Sequence, residues 1–276
     1  MLKRIILIVL SVAVLVTGIT AYYYNSLPVS EEVIKECQKD LKSSLFSGML
    51  VGYADGSFSL PLQSIIRYND GETVYVDMNS DYLRLVNGDN SLDCDGVDKF
   101  SSLIADGDDI YYFYPDDEFV CNVYKTDRNF KENKFFCTVP SENGYLAIEN
   151  SVIYYDYEAN GKKQIKRIVD GKEEVVFETE EDLIPLLAEE DIIYLRNREN
   201  EKIYSFDIES KKLKKLPLNF IATDINGYYK IRGAEIVSEE VMKVYLSYHW
   251  GDEDFEGTNV IYLFNTKTGR KLKVEV

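Results

Sequence analysis

Ile110-Tyr111-Tyr112-Phe113-Tyr114 sets five bulky side chains in a row. Successive side chains of an extended strand point to opposite faces, so Ile110, Tyr112 and Tyr114 line one face while Tyr111 and Phe113 line the other. A sheet with one wet face would leave the second pair in water, so this strand must be covered on both sides. Related runs occur at Thr73-Val74-Tyr75-Val76, Ile153-Tyr154-Tyr155-Asp156-Tyr157, Ile192-Ile193-Tyr194-Leu195 and Val244-Tyr245-Leu246-Ser247-Tyr248. From one first tyrosine to the next the intervals are 36, 43, 40 and 51 residues.

Each run precedes another strand-like stretch: Asp81–Leu85, Asn122–Lys125, Gln164–Ile168, Lys202–Phe206 and Val260–Phe264. Turn signals follow at Asn87-Gly88, Asp127 to Asn129, Asp170-Gly171, Glu209-Ser210 and Thr268-Gly269, and then short Lys- and Glu-rich strands such as Arg270–Val276 suited to a solvent-facing edge. Four antiparallel strands per unit of about forty residues is the arithmetic of a β-propeller blade. The 22 tyrosines and 13 phenylalanines agree, because aromatic side chains fit a packed pleated surface. The expected fold is all-β, a propeller of five to six four-stranded blades. Five units are countable between about Leu62 and Val276. Phe46–Leu60, with the turn Asp55-Gly56, reads as a sixth partial hairpin, and Ile221–Ile231 in the longest interval as a piece of another. A β-sandwich or an open β-solenoid is the competing architecture.

Strings such as Ile203-Tyr204-Ser205-Phe206-Asp207-Ile208 after Ile192-Ile193-Tyr194-Leu195 resemble the extracytoplasmic propeller repeats of clostridial and other low-GC Gram-positive surface proteins, the DUF5050 or TolB-like propeller class. The resemblance spans about four fifths of the chain and implies a propeller outside the cell, with little chemistry attached. Trp-Asp repeats, paired-glycine kelch signatures and Ser-x-Asp-x-Gly-x-x-Trp turns do not occur.

The other informative end is the N-terminus. Lys3 and Arg4 precede an uncharged run, Ile5–Ala21, with eleven Ile, Leu or Val, followed by Tyr22, Tyr23 and Tyr24. The run is longer than a secretory signal core, cleavage after Ala21 would place branched Ile19 at −3, and the three tyrosines suit a membrane interface. The expected organisation is a cytoplasmic tail at 1–4, a transmembrane signal-anchor at 5–24, a stalk helix at 25–45 and a propeller ectodomain at 46–276. Basic residues stand only before the span, so the N-terminus faces the cytoplasm and the bulk lies outside the cell membrane. The exported part carries 29 basic and 48 acidic side chains and should be soluble and repelled by anionic lipid. Ser30, Glu31 and Glu32 cap an amphipathic helix with Val33, Cys37, Leu41 and Leu45 on one stripe. It reads as a stalk, and packing against the domain it introduces is the plain alternative to a partner-binding role.

A net charge of −17 opposes nucleic-acid binding. His249 is the only histidine, so multi-histidine metal sites are excluded, and no metal or cofactor is expected. No Gly-x-Ser-x-Gly elbow supplies a nucleophile, and no catalytic residue is assigned. Carboxylates around a propeller channel keep a glycosidase or wall-sugar binder as the alternative to a non-catalytic binding or scaffolding module. Ser91–Asp98 has calcium-loop spacing but Ser102 where the bidentate Glu belongs, and reads better as an acidic turn. Cys121 and Cys137 mirror one another about Asn129, which predicts a disulfide across a hairpin; Cys37 with Cys94 is a second candidate pair. The loops joining second to third strands share one rim. They carry Asp77 to Asp81, Asp116 and Asp117, Glu158 to Gly161, Glu199 to Glu201, and His249, Trp250, Asp252, Asp254 and Phe255. That rim is expected to be the most acidic surface, with aromatics suited to a cationic peptide, a protein or a glycan.

Overall fold

The computed structural model describes residues 27–42, 65–68, 70–77, 83–94, 102–115, 120–141, 144–218, 227–250 and 258–275. Among them one helix, α1 (Glu31–Lys42), is followed by five four-stranded sheets. Blade 1 holds β1 (Ile65–Arg67), β2 (Thr73–Asp77), β3 (Leu83–Asn87) and β4 (Asn90–Cys94). Blade 2 holds β5 (Ser102–Asp106), β6 (Asp109–Pro115), β7 (Cys121–Asp127) and β8 (Lys134–Val139). Blade 3 holds β9 (Leu146–Glu149), β10 (Val152–Ala159), β11 (Lys162–Val169) and β12 (Lys172–Thr179). Blade 4 holds β13 (Leu183–Glu189), β14 (Ile192–Asn197), β15 (Ile203–Asp207) and β16 (Lys212–Lys215), and blade 5 holds β17 (Gly227–Ser238), β18 (Val241–Trp250), β19 (Thr258–Asn265) and β20 (Lys271–Val274). Every sheet is an antiparallel meander in chain order. First strands lie side by side, β1 by β5, β5 by β9, β9 by β13 and β13 by β17. This is a five-bladed β-propeller.

Burial on both faces of the second strands holds it together. Ile110 and Tyr112 pack with Ile66, Val74, Val76 and Leu85 of blade 1, whereas Tyr111 and Phe113 pack with Leu146, Ile148, Ile153 and Tyr155 of blade 3. Tyr154 continues the pattern against Leu183, Ile193 and Leu195 of blade 4, and Ile203 and Leu186 meet Ile231, Val244 and Leu246 of blade 5. Each fully buried large side chain contributes about 1.5–3 kcal/mol, so the blade interfaces dominate the stability.

In the longest interval the described residues form one blade, and residues 221–226 of the expected extra piece lie outside them. Ile231 belongs to β17, and the β17–β18 hairpin is long and bulged at Ile231/Gly233 and Ile236/Ser238, which absorbs the extra residues. The hairpin expected at Phe46–Leu60 lies outside the described residues, as do the tail at 1–4 and the span at 5–24. No helix among the described residues is long and apolar enough to cross a membrane.

The face of blade 5 turned away from blade 4 is covered by α1. Val33, Ile34, Cys37 and Leu41 pack with Val241, Ile261, Leu263 and Val274, and Leu27 and Val29 join the same cluster. The Gln38 amide donates to the Glu275 carbonyl at 2.8 Å, and the Val33 amide donates to the Ser30 hydroxyl at the N-cap. Of the two readings of this helix, packing on the domain is the one observed.

Three local expectations are corrected. Register places Cys121 opposite Val139 and Cys137 opposite Val123, two residues out of line, and all four cysteines are thiols. Cys37 and Cys94 sit in different clusters, one under α1 and one between blades 1 and 2. Ser91–Cys94 belongs to strand β4 rather than a turn, and Asp93 there pairs with Arg84 at 2.5 Å.

Candidate functional site

A propeller offers two rims, and inner-strand ends decide what each presents. On the rim chosen from sequence, the β10–β11 connection is the two-residue turn Asn160-Gly161, both left-handed, and Glu201 ends the β14–β15 loop at φ 54°. The backbone sets His249 opposite Tyr228 and Trp250 opposite Gly227, so both stand beside the entry of inner strand β17. The side chains of His249 and Trp250, and the residues Asp116, Asp117, Asp252, Asp254 and Phe255, lie outside what is described.

The described part of this rim is not simply acidic. Arg196, only 7% exposed, projects from β14 and donates to the Ile231 carbonyl at 3.0 Å and to Glu201 Oε1 at 2.6 Å. The other Glu201 oxygen accepts the Ile231 amide at 2.8 Å. One ion pair thus grips both backbone groups of a residue in the next blade. Arg198 meets Asp182 through two hydrogen bonds, 2.8 and 2.7 Å, and Lys163 of blade 3 reaches the same carboxylate at 2.9 Å. Arg198 foremost, then Lys163, holds the Asp182 carboxyl below the ordinary range against the opposing effect of burial. Further in, Arg232 donates from Nε to the Ser247 hydroxyl at 2.8 Å, and burial pushes its pKa down. Charge-assisted pairs of this kind fix geometry.

The opposite rim, built from turns between first and second strands, carries the more distinctive chemistry. Asn150 and Ser151 (φ 50° and 61°) and Glu190 and Asp191 (φ 49° and 63°) form two-residue turns without glycine, a conformation costing roughly 1–2 kcal/mol per residue. A carboxylate from the preceding blade offsets that cost. Asp106 accepts the Asn150 and Ser151 amides at 2.9 and 2.6 Å, and Glu149 accepts the Glu190 amide. Asp106, Glu149 and Glu189 occupy the same position, the last residue before the turn, in three successive blades. Burial, then neighbouring acids, raises the carboxyl pKa of Glu149 and of Glu189. Elsewhere on this rim Arg128 gathers Asp70 and Asp108, each at 2.7 Å, and Lys125 meets Asp109 at 2.5 Å.

Raised carboxyls were not anticipated, because Glu149 and Glu189 look like ordinary turn acids. The signal that would have found them is positional: an acid in the same place in three consecutive repeats. Among the described residues no group of three or more His, Cys, Asp or Glu could hold a metal ion.

No family profile matches the chain, and no curated protein does. Solved structures do. A puromycin hydrolase is 12% identical over 78% of this chain and 39% of its own, TM-score 0.47. A chain of a nidogen/laminin complex is 9% identical over 78% of this chain and 81% of its own, TM-score 0.48. TolB from Acinetobacter baumannii is 10% identical over 76% and 62%, TM-score 0.38. The chain spans less than two fifths of the length of the puromycin hydrolases it matches. At these identities and scores the likenesses say nothing of function, and the fold rests on the five sheets themselves.

Proposed function

We propose that this chain is a single-pass, membrane-anchored, extracytoplasmic β-propeller that serves as a non-catalytic binding or scaffolding module. The resemblance of its repeats to the DUF5050 class of Gram-positive surface proteins and the apolar run Ile5–Ala21 behind Lys3 and Arg4 support the location. The observation that carries the binding role is the use made of polar groups at the rims. Asp106, Glu149, Asp182, Arg196 and Glu201 each hold a neighbouring blade or a turn, which makes rigid platforms whose ordering entropy is already spent. The ligand belongs on the rim that holds His249, Trp250, Asp252, Asp254 and Phe255, with Asp116 and Asp117 nearby, and its class is a cationic peptide, a protein or a glycan. The test is a pull-down from the native envelope. Replacing Trp250 and Asp252 with Ala should abolish capture of the recovered ligand and leave the melting temperature within a few degrees. Unchanged capture, or a large melting loss, would move Trp250 into the core and leave this rim without a role.

One observation favours a second reading, a carbohydrate-active propeller. Glu149 and Glu189 end neighbouring inner strands with raised carboxyl pKa values, the property a general acid needs. Depletion of wall glycans by the protein, lost in both Glu149→Gln and Glu189→Gln with the fold intact, would establish that reading. Glycan profiles unaltered by the unsubstituted protein would exclude it.

A further inference from the structure

We infer that α1 is a releasable strap, which lifts off blade 5 as a unit while the propeller stays folded and so sets how far the propeller stands from the membrane. The control of distance rests on the anchoring proposed above; the release of the helix does not. Blade 5 is gripped on its two faces by two separate clusters. Met242, Val244, Leu246, Val260 and Phe264 pack towards blade 4 with Leu186 and Ile203. Val241, Ile261 and Leu263, from the intervening positions of the same strands, pack with α1. Among the described residues this second cluster draws on Leu27, Val29, α1 and blade 5, and on no other blade. Losing it leaves the grip of blade 4 in place.

Charged side chains cross the seams between blades. Arg128 reaches Asp70, Asp106 takes the Asn150 and Ser151 amides, Lys163 reaches Asp182, and Arg196 takes the Ile231 carbonyl. α1 meets blade 5 through apolar contact and a neutral hydrogen bond, the Gln38 amide on the Glu275 carbonyl at 2.8 Å. Cys37 is fully buried, whereas Val33, Ile34 and Leu41 are half-buried. A helix of 12 residues is marginal in water by itself, so α1 loses its structure with its wall and opening is all-or-none. The face it leaves tolerates water. Lys243 pairs with Glu235, and the Tyr245 hydroxyl donates to Glu235 at 3.4 Å; both contacts lie within blade 5, so lifting α1 breaks neither. Elements with the fewest buried contacts open at the least cost, and α1 is such an element.

Chain length turns this opening into a change of reach. With α1 docked, three peptide units join Tyr24, the end of the expected span, to Leu27 on blade 5, at most about 11 Å. With α1 released, the tether runs from Tyr24 to Ile65 at the start of blade 1. That is about 140 Å fully extended and about 35 Å as a flexible chain. A docked propeller lies against the headgroups, and a released one searches the space above them.

The experiment uses the full chain in phosphatidylcholine bilayers, with insertion verified by resistance to carbonate extraction. A thiol reagent is applied across a urea series and each cysteine is read by mass spectrometry. Well below the midpoint of the propeller, Cys37 should label at least about ten-fold faster than the buried Cys94 and Cys121. Gln38→Ala should speed Cys37 labelling about five-fold and leave that midpoint in place. Neutron reflectometry on a supported bilayer gives the height of the propeller, which should rise by roughly 20 Å or more in Val33→Asp/Leu41→Asp. Cys37 labelling only in step with Cys94 and Cys121 would make α1 part of the ring and overturn the inference. Immediate labelling of Cys94 and Cys121 in the double variant would do the same. Early labelling of Cys37 with unchanged height in the double variant would overturn the control of reach. A chain extracted by carbonate overturns the anchor and the control of reach together, while Cys37 in that extracted chain still decides whether α1 is a strap.

Discussion

Gly269 shows how much one side chain can matter in this ring. It sits at φ +73°, and any Cβ there meets the Pro217 carbonyl at 2.1 Å, a backbone contact that no rotamer relieves. Gly71 is the control, at φ +91° with nothing within 4 Å of its Cβ position. Gly71→Ala should cost about 1–2 kcal/mol from the left-handed conformation alone, whereas Gly269→Ala should cost at least about 3 kcal/mol, since the blade 4–blade 5 contact must shift as well. Urea midpoints of the two variants check the difference. Glu189 supplies a pH-dependent counterpart. Burial, then Glu190 and Glu149, raises its carboxyl pKa in the folded chain, so folding favours the protonated form. Its contribution to stability is then fully present below the unfolded carboxyl value, about 4.3, and is lost as pH rises through the higher folded value. Glu189→Gln should raise the urea midpoint at pH 7, with the gain vanishing near pH 3; equal effects at both values would contradict this. At this scale the sequence misled most about cysteine. Mirror symmetry about Asn129 assumed an unbroken ladder. The Asp127 carboxylate ties down the amides of Asn129 and Lys131, Phe130 turns left-handed, and a bulge between Val123 and Tyr124 inserts one residue on β8. Two thiols that numbers align are thereby put out of register.

Among the elements, the second strands were the legible ones, because five consecutive large apolar side chains leave no arrangement but burial on both faces. Turns flagged by glycine were legible as well: Asn160-Gly161 and Asp170-Gly171 close hairpins where expected. Turns built without glycine were hidden. Asn150-Ser151 and Glu190-Asp191 hold their left-handed conformation because a carboxylate arrives from the blade before, a contact more than forty residues away that no local pattern encodes. Asp106→Ala should therefore destabilise the ring by about 1–3 kcal/mol, the cost of leaving amides unmet, though Asp106 stands in blade 2 and the amides in blade 3. Asn150→Gly in the same background should recover part of the loss by removing the left-handed strain. Hydrogen exchange at Asn150 and Ser151 locates the effect; protection unchanged in Asp106→Ala would show that the staple carries no weight. α1 was legible as an amphipathic helix but not as the cover of blade 5, since its stripe of Val33, Cys37 and Leu41 fits any apolar wall.

For the whole molecule, a repeat interval near forty residues led to the propeller, and the five sheets bear it out. The interval of 51 residues holds the lengthened, twice-bulged β17–β18 hairpin, which takes Ile231 into blade 5. The ligand rim was less legible, since identifying it depends on which carboxylates are already committed to neighbours. The proposed function rests on the chain being fixed in a membrane with its propeller outside. Protease added to wall-stripped intact cells tests this most directly. The account predicts digestion of everything after about Asn25, with the segment before it left in the membrane. Full protection of the chain, or a secreted product beginning at Tyr22, would contradict it.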